Sequence, residues 1–593
     1  MKRSEVESKY KWKLEDIYAS DEAWEQDFAK ISEMAGKFAA HKGKIGTSGE
    51  ETLGALNDYL AIDRAVDKLY AYAHMRLDED NANPKYQDMG ARARYLISVL
   101  LSESSFFEPE LMGVPEETLK GYLENTDGFS LYRFYLEDKL REKKHILSEK
   151  EERLLALAGE TCGAPADAFK KFNNADIDFP YIENDAGENV KLTHGSYIMY
   201  LNSKNRNVRR DAFRAMYSVY EAYKNTLAAM YAGNVKSDCF RSKARGYGSS
   251  IEAALSSDNV DLSVYNNLID VIHDSLGILE KYLRLRKKAL GVETLHMYDI
   301  YTPIAEAPEK HYSFEEAWEI VMEAIKPMGG EYCRIAATAF ENGWIDVCET
   351  EGKTSGAYSS GCYDCHPYIL LNWQGTLDNV FTLAHELGHA MHTYFSNENQ
   401  PYLYAGYRIF VAEVASTVNE NLLVDYLLGK TDDKAERAYI INHYLEEFRG
   451  TIIRQTMFAE FERDAHALAE QGEALTSKKL CDMYYDLNKK YFGSVVDVDP
   501  EIAYEWSRIP HFYTSFYVYK YATGFSAAVV LAGNILSGDG VLREKYLNFL
   551  KSGGSDYPIE LLKKAGVDLT SPEPVRQAMA LFAEKLDQLE GLL

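Results

Sequence analysis

The sequence is poor in positive charge. It has 65 lysine and arginine residues against 92 aspartate and glutamate residues, which gives a formal net charge of −27 over 593 residues. A protein that binds nucleic acid needs a basic surface to neutralise phosphates, and an anionic membrane surface makes the same demand. The excess of acidic residues therefore argues against both kinds of partner, and we expect neither nucleic acid nor a membrane.

Long apolar runs and cysteine are also scarce. The amino-terminal stretch MKRSEVESKYKWKLEDIY lacks the apolar core of a secretory signal. The longest apolar stretch, around residues 525–536, is too short to span a bilayer. The seven cysteines are odd in number and scattered, which is typical of a reducing compartment. We therefore expect a cytoplasmic protein.

Proline is limited to 15 residues, and most of the chain shows apolar residues three and four positions apart. This spacing predicts helices, for example over residues 151–158, 209–235, 259–289, 315–326 and 436–468. Strand-like segments are few: a hairpin over 177–193 with its turn at 184–188, and short pieces at 295–301, 344–348 and 368–373. The sequence predicts a mainly α protein with a small sheet. Its length exceeds one ordinary core, so we expect a helical lobe over 1–195 and a second domain over 196–593.

Two metal-type motifs stand close together, CYDCH at 362–366 and HELGH at 385–389. The first has the CxxCH form that attaches c-type haem, but that attachment normally follows export, and no export signal is seen. Pro367 and the residues after it resemble an edge strand. An extended chain would place Cys362 and Cys365 on opposite faces, where they could not hold one porphyrin.

Other roles for the CxxC pair fit the sequence no better. A thioredoxin-like pair lies at the start of a helix, whereas a strand is expected here. A structural zinc site would need a second pair, and Cys333 and Cys348 are too far apart to form one. We interpret Cys362 and Cys365 as ordinary thiols.

The HELGH motif lies in a segment that predicts a helix. Thr376 is a good N-cap and Asp378 follows in the first turn. His385 and His389 are four residues apart and share one face, so both imidazoles can reach one tetrahedral zinc ion. Glu386 is placed to act on a metal-bound water. The alternative is a core helix with two hydrogen-bonded histidines.

A catalytic zinc ion needs a third protein ligand. His392 lies on the same face, but the sequence lacks the HExxHxxGxxH spacing. The next predicted helix begins near residue 410 and carries Glu413 and Glu420, seven residues apart on one apolar face. A buried carboxylate is costly unless it binds something. The spacing does not choose between the two, and two plain salt bridges are the alternative.

Several segments together resemble one enzyme family. HELGHAMH, FVAEVASTVNE and IPHFYTSFYVY occur in that order, with WKLEDIY near the start and GAYSSGCYDCHPYILLNW before the first motif. The chain resembles the oligoendopeptidase F branch of the thimet-oligopeptidase family of zinc metallopeptidases over nearly its whole length. In place of the glycine-rich loop of the thimet branch it has HFYTSFY.

The resemblance implies one zinc ion per chain, held by His385, His389 and Glu413, with Glu386 as the base. Glu420 would orient a ligand histidine. It implies a mainly helical fold of two lobes around a deep channel, with a small sheet beside the zinc. An edge strand within residues 357–373 would pair with the bound peptide, and 196–593 would be the catalytic domain.

The implied activity is hydrolysis of internal bonds in short peptides. Candidate donors to the tetrahedral oxyanion are, in order of match to the family, Tyr519 and His511, followed by Tyr513 and Tyr517. Two alternatives remain open: a zinc metallocarboxypeptidase of similar helical fold, which would need a basic group for a free carboxyl terminus, and a non-catalytic metal- or haem-binding protein.

Overall fold

The computed structural model describes residues 1–306 and 310–593. Within them the chain forms 24 α-helices and seven short strands, and helix accounts for 72% of the chain against 3% for strand. The prediction of a mainly α protein with a small sheet is confirmed.

The first twelve helices are α1 Asp21–Lys37, α2 Gly49–Glu79, α3 Pro84–Glu103, α4 Phe107–Gly113, α5 Glu116–Asn125, α6 Arg133–Glu142, α7 Glu149–Lys171, α8 His194–Leu201, α9 Arg206–Ala244, α10 Ser250–Ser256, α11 Leu262–Asp274 and α12 Leu276–Ala289. The next twelve are α13 Phe314–Ala324, α14 Gly330–Glu341, α15 Leu377–Asn399, α16 Tyr402–Ala405, α17 Ala412–Lys430, α18 Lys434–Glu447, α19 Arg454–Glu470, α20 Ser477–Phe492, α21 Tyr519–Leu536, α22 Gly540–Lys551, α23 Pro558–Ala565 and α24 Glu573–Leu592. The strands are β1 Tyr181–Glu183, β2 Asn189–Lys191, β3 Leu295–His296, β4 Ile345–Asp346, β5 Tyr358–Ser360, β6 Tyr368–Leu370 and β7 Val496–Asp497.

Local sequence accounts for many helix boundaries. The side chains of Ser48 and Asp433 accept hydrogen bonds from backbone N–H groups in the first turns of α2 and α18, which satisfies donors that have no partner within the helix. The predicted helical stretch 259–289 is divided between α11 and α12 at Ser275. The predicted hairpin is confirmed as β1 and β2, and its turn is held by Asn184, whose side chain accepts from the N–H groups of Ala186 and Glu188.

The described chain divides into two compact units, each assembled from three segments. The first unit comprises Met1–Lys144, Lys310–Tyr426 and Leu531–Gly566, and the second comprises His145–Glu309, Leu427–Val530 and Val567–Leu593. A unit that is assembled from separate segments of the chain produces no recognisable pattern in the linear sequence. The division at residues 195 and 196 into a helical lobe and a catalytic domain stays a prediction.

The first unit contains a three-stranded sheet in the order β4-β6-β5. Strand β6 pairs in parallel with β4 and antiparallel with β5, so it is the central strand. The expectation of an edge strand after Pro367 is wrong, because this proline lies just before β6 and removes no hydrogen bond from it. Strand β5 is an edge. The sheet segment packs on α15, where the Trp344 and Tyr394 rings stack with centroids 5.8 Å apart.

The second unit is built around the 39-residue helix α9. An aromatic core surrounds Tyr231, whose ring lies 5.9 Å from those of Phe461 and Phe512 and 5.8 Å from Trp506. The unit also holds the β1–β2 hairpin and a parallel pair of β3 with β7. Across the described residues of both units, none of the helices combines the length and apolarity needed to cross a bilayer; the cytoplasmic location stays a prediction.

Candidate metal centre

Helix α15 carries the HELGH motif. Its first turn is closed by a capping box in which the Thr376 side chain accepts from the Asn379 N–H, as the sequence predicted for Thr376. One turn separates His385 from His389, and their rings meet edge to face with Nε2 atoms 3.2 Å apart. The helix therefore presents two nitrogen donors at one point.

The third donor comes from α17. Glu413 Oε2 lies 3.3 Å from His385 Nε2 and 3.4 Å from His389 Nε2. Donor atoms held about 2.0–2.2 Å from one tetrahedral ion lie roughly 3.3–3.6 Å apart. The three donors therefore form a nearly equilateral triangle that fits one zinc ion with a fourth position open. Among the described residues, this is the one group of three or more His, Cys, Asp or Glu side chains with metal-binding spacing.

A glycine inside the motif makes this arrangement possible. A Cβ atom on Gly388 would lie 2.6 Å from the carbonyl oxygen of Ala415 and 2.6 Å from the Cα of Ser416. Helices α15 and α17 therefore touch backbone to backbone at this point, which holds Glu413 within reach of the histidines. The buried Asn419 side chain reinforces the contact by donating to the carbonyl oxygen of Ala384 at 3.1 Å.

The electrostatics of the cluster favour a positive charge at its centre. Burial lowers the pKa of His385, but hydrogen bonds to Glu413 and Glu420 outweigh it and raise that pKa well above the usual value. Burial raises the pKa of the Glu413 carboxyl, and the two histidines more than offset it, leaving it far below its usual range. Both shifts reflect the close approach of the carboxylates to the imidazole rings.

Glu420 contacts the other nitrogen of the same histidine. Its Oε1 lies 2.9 Å from His385 Nδ1. A carboxylate at that atom fixes the ring orientation and leaves Nε2 free to bind an ion. Glu413 and Glu420, which the sequence spacing did not distinguish, therefore contact different nitrogen atoms of His385.

Glu386 lies between the two histidines in sequence and is 7% exposed. Its Oε2 atom is buried and has no hydrogen-bond partner among the described residues. Burial raises the pKa of this carboxyl, and the positive charge of His385 and His389 offsets part of that rise. A buried carboxylate oxygen without a partner, next to a cluster with metal-binding spacing, has the properties of a general base.

The remaining histidine of HELGHAMH belongs to the core. His392 is 1% exposed and stacks on Tyr407 with ring centroids 3.8 Å apart. Burial lowers the pKa of His392 to about 3, so it stays neutral. It is not a ligand of the cluster.

The CYDCH segment forms a turn, with the N–H of Cys365 donating to the carbonyl of Cys362 at 3.3 Å. The expectation that it is extended is wrong, because the strand begins only at Tyr368. Cys362 is 5% exposed, and burial raises the pKa of its thiol to about 12. His366 stacks on Trp344 at 5.0 Å and its Nε2 faces Asp16. Cys362 and His366 thus take part in separate packing contacts.

The predicted oxyanion donors lie in the second unit. His511 is exposed, with its ring 6.1 Å from that of Tyr517. Tyr513 is partly buried and stacks on Phe169 at 4.2 Å. Tyr519 is 1% exposed and packs on Tyr265 at 5.0 Å. The roles of these four residues stay predictions.

Sequence reasoning missed two contributors to the metal centre. Gly388 carries a signal, since a glycine inside an otherwise apolar helix marks a close backbone approach. Ser416, whose hydroxyl lies 3.2 Å from Glu413 Oε2, follows its ligand by one helical turn. The three-residue spacing from Glu413 could have suggested a role for Ser416, although a serine three residues after a glutamate is common in helices.

Comparison with known proteins identifies the family. The model of Peptidase family M3 matches residues 199–581, and that of the amino-terminal Oligopeptidase F region matches 110–179. Oligopeptidase PepF of Bacillus subtilis is 46% identical over 591 residues, covering 100% of this chain and 88% of its own.

Solved structures agree in fold. Oligoendopeptidase-F from Enterococcus faecium is 41% identical with a TM-score of 0.76, over 96% of this chain and 99% of its own. A solved structure from Chlamydophila abortus is 35% identical with a TM-score of 0.94, over 100% of both chains. The chain therefore belongs to peptidase family M3, as a metalloendopeptidase of the oligoendopeptidase F group.

Proposed function

We propose that the protein is a zinc-dependent endopeptidase that hydrolyses internal bonds of short peptides, with one zinc ion per chain. His385, His389 and Glu413 would hold the ion, and Glu386 would act as the general base. The observation that carries the proposal is the 3.2–3.4 Å triangle of donor atoms beside a buried, unpartnered carboxylate oxygen.

The donor set suits zinc. Two imidazole nitrogens and one carboxylate oxygen form a three-ligand set of the catalytic type, which leaves one position for water or substrate. When bound, zinc supplies Lewis-acid chemistry that polarises a carbonyl oxygen and makes water acidic. Glu420 would keep the His385 ring in place through its 2.9 Å contact with Nδ1.

Glu386 would move the proton. Its carboxylate accepts a proton from the attacking water as the new C–O bond forms. It then donates the proton to the nitrogen of the leaving amine as the C–N bond breaks. The balance is one water consumed and one carboxyl and one amine terminus produced, with Glu386 returned to its starting state.

The tetrahedral oxyanion needs hydrogen-bond donors. We propose Tyr519 and His511 as the first candidates, with Tyr513 and Tyr517 as further ones. His511 is exposed, whereas Tyr519 is 1% exposed and its hydroxyl is buried.

A peptide blocked at both ends tests the proposal. Incubation of an acetylated, amidated peptide of about ten residues should yield internal fragments, identified by mass spectrometry, and a chelator should stop their formation. A zinc metallocarboxypeptidase would leave this peptide intact and cut only its unblocked form. Cleavage that persists without any bound transition metal would contradict the zinc mechanism.

A further inference from the structure

A second feature of the first unit has no role in the chemistry described above. It is a cavity of about 590 Å³, within the size range of small-molecule sites. Its lining includes residues of α2, residues 360–363 at the end of strand β5, and residues 402–407 after α15. It is large enough for one long side chain together with part of a neighbouring residue.

The charge in the cavity is of one sign. Asp63 and Asp67 line it, and none of the described residues in its lining is basic. Asp63 accepts a hydrogen bond from the Tyr402 hydroxyl at 2.8 Å. Asp67 makes no hydrogen bond or ion pair with the described residues. The nearest arginine in sequence, Arg64, is paired with Asp364 instead.

The charged form of the Asp67 carboxylate is unfavourable at this position. Burial, together with the neighbouring charges of Asp63 and Asp364, raises the pKa of Asp67 to about 6. Asp67 is half-buried, and a half-buried carboxylate without a partner is stabilised when a cation binds to it. The groups around Asp67 therefore favour a positively charged occupant.

The rest of the lining is aromatic and aliphatic. Tyr59 and Phe107 stack with ring centroids 5.6 Å apart and lie beside Leu56 and Leu60. Such walls suit a hydrocarbon stem, and tyrosine rings also attract a cationic head group. Lysine and arginine side chains combine a long apolar stem with a cationic end.

The cavity and the candidate metal centre share helix α15. Thr393 and Asn397 line it and lie one and two turns after the metal-site residue His389, or about 6 and 12 Å along the axis. The Tyr407 hydroxyl in the same lining lies 3.0 Å from Thr393 Oγ1. An extended peptide advances about 3.3 Å per residue, so these distances correspond to two to four residues.

We propose that this cavity is a substrate subsite that binds a lysine or arginine side chain two to four residues from the cleaved bond, with Asp67 and Asp63 receiving the cationic group. The proposal rests on the proposed peptidase function, because a peptide must lie along the metal centre for its side chain to enter the cavity.

Matched peptides test the subsite. Each is acetylated and amidated and carries lysine or its uncharged isostere norleucine at the second, third or fourth position on either side of one cleavable bond. For the wild-type protein kcat/KM should be about 10- to 100-fold higher for lysine at one of these positions, as expected for a hydrogen bond to a charged group. Asp67→Asn should reduce the lysine-to-norleucine ratio to near one.

A control variant separates the subsite from overall charge. Glu50→Gln removes one exposed carboxylate from the first turn of the same helix, α2, and should leave the ratio unchanged. Binding of the lysine peptide to Glu386→Gln protein, measured by calorimetry, should weaken by a similar factor on adding Asp67→Asn. This second readout does not depend on turnover.

The outcomes are distinguishable. Equal cleavage of the lysine and norleucine peptides would contradict the proposed subsite but not the peptidase function. Cleavage of neither peptide overturns the peptidase function itself. A preference that follows a free α-amino group in unblocked peptides, with no response to lysine, assigns the cavity to the peptide amino terminus and overturns the side-chain assignment.

Discussion

Glu505 in the second unit and Glu386 in the first are both buried carboxylates, but their partners differ. In the second unit Glu505 is 4% exposed and is surrounded by the side chains of Arg454, Arg508, Tyr484 and Tyr217. Burial raises the pKa of Glu505, and the two arginines outweigh that effect, so the net shift is downward. Its charge is balanced within the fold.

In the first unit two carboxylates lack such compensation. Glu386 has a buried oxygen with no partner among the described residues, and Asp67 pairs with nothing in its cavity. The pKa of each is raised, chiefly by burial. Glu505 and Glu386 are both buried, and the ion pairs with Arg454 and Arg508 distinguish Glu505 from Glu386 and from the half-buried Asp67.

The strongest test of this contrast is Glu386→Gln. Glutamine keeps the size of the side chain but cannot accept the proton, so turnover should fall by about 10²–10⁴-fold. The metal content after dialysis should stay the same, because none of the donor atoms changes. A fully active variant would remove Glu386 from the mechanism.

Glu505→Gln should act on stability and not on chemistry. It leaves the half-buried Arg454 and Arg508 without a counter-charge, and breaking a buried pair typically costs about 3–5 kcal/mol. Urea denaturation at pH 7 measures the loss. Glu386→Gln, the matched change at the uncompensated site, should lose little or no stability. Equal losses in the two variants would contradict the contrast between Glu505 and Glu386.

The two glutamates of α17 should differ in metal retention. Glu413→Gln removes an anionic donor, so zinc should be lost on dialysis and part of the activity should return when zinc is added. Glu420→Gln should weaken zinc binding by about 10–100-fold, the usual effect of a group that orients a ligand. Elemental analysis after dialysis, beside turnover, measures both. Zinc loss in Glu420→Gln alone would reverse the ligand assignment.

Asp67→Asn should stabilise the protein in a pH-dependent way. The folded-state pKa of about 6 is above the unfolded value of about 3.9, so the charged form destabilises the fold above pH 6, and the penalty disappears below pH 4. The variant should therefore be about 1–2 kcal/mol more stable than wild type at pH 8, after allowance for solvent screening, and equal to it near pH 4. The difference between paired urea titrations at the two pH values gives the result. No gain at pH 8 would mean that Asp67 is solvated or paired.

The smallest effect is expected from replacing Cys362 and Cys365 together with serine. Neither thiol belongs to the donor triangle, so zinc content and most of the activity should remain. A large loss of zinc from this double variant would show that the CYDCH segment takes part in metal binding.

The local parts of the site follow from the sequence. The four-residue spacing of His385 and His389, and the N-cap at Thr376, depend only on helix geometry, and the structure reproduces both. The choice between Glu413 and Glu420 does not follow from spacing, because residues seven apart share a face. It depends on how α17 crosses α15, which is set by the contact at Gly388.

Features assembled from distant segments could not be predicted. The cavity brings together Asp67, Cys362 and Tyr407, which are far apart in the chain and carry no common pattern. Strand order is a similar case: Pro367 suggested an edge, whereas the pairing of β6 on both sides is decided by β4 and β5. The burial of Tyr519 depends on Tyr265, more than 250 residues earlier.

Helix α15 carries His385 and His389 of the donor triangle and, on the following turns, Thr393 and Asn397 of the cavity lining. If the proposed subsite is correct, the helical rise of α15 fixes the distance between the cleaved bond and the side chain that is recognised. A peptide with several basic residues would bind in several registers, one for each basic residue. Its products would form a ladder in which every cut lies at the same offset from a lysine or arginine.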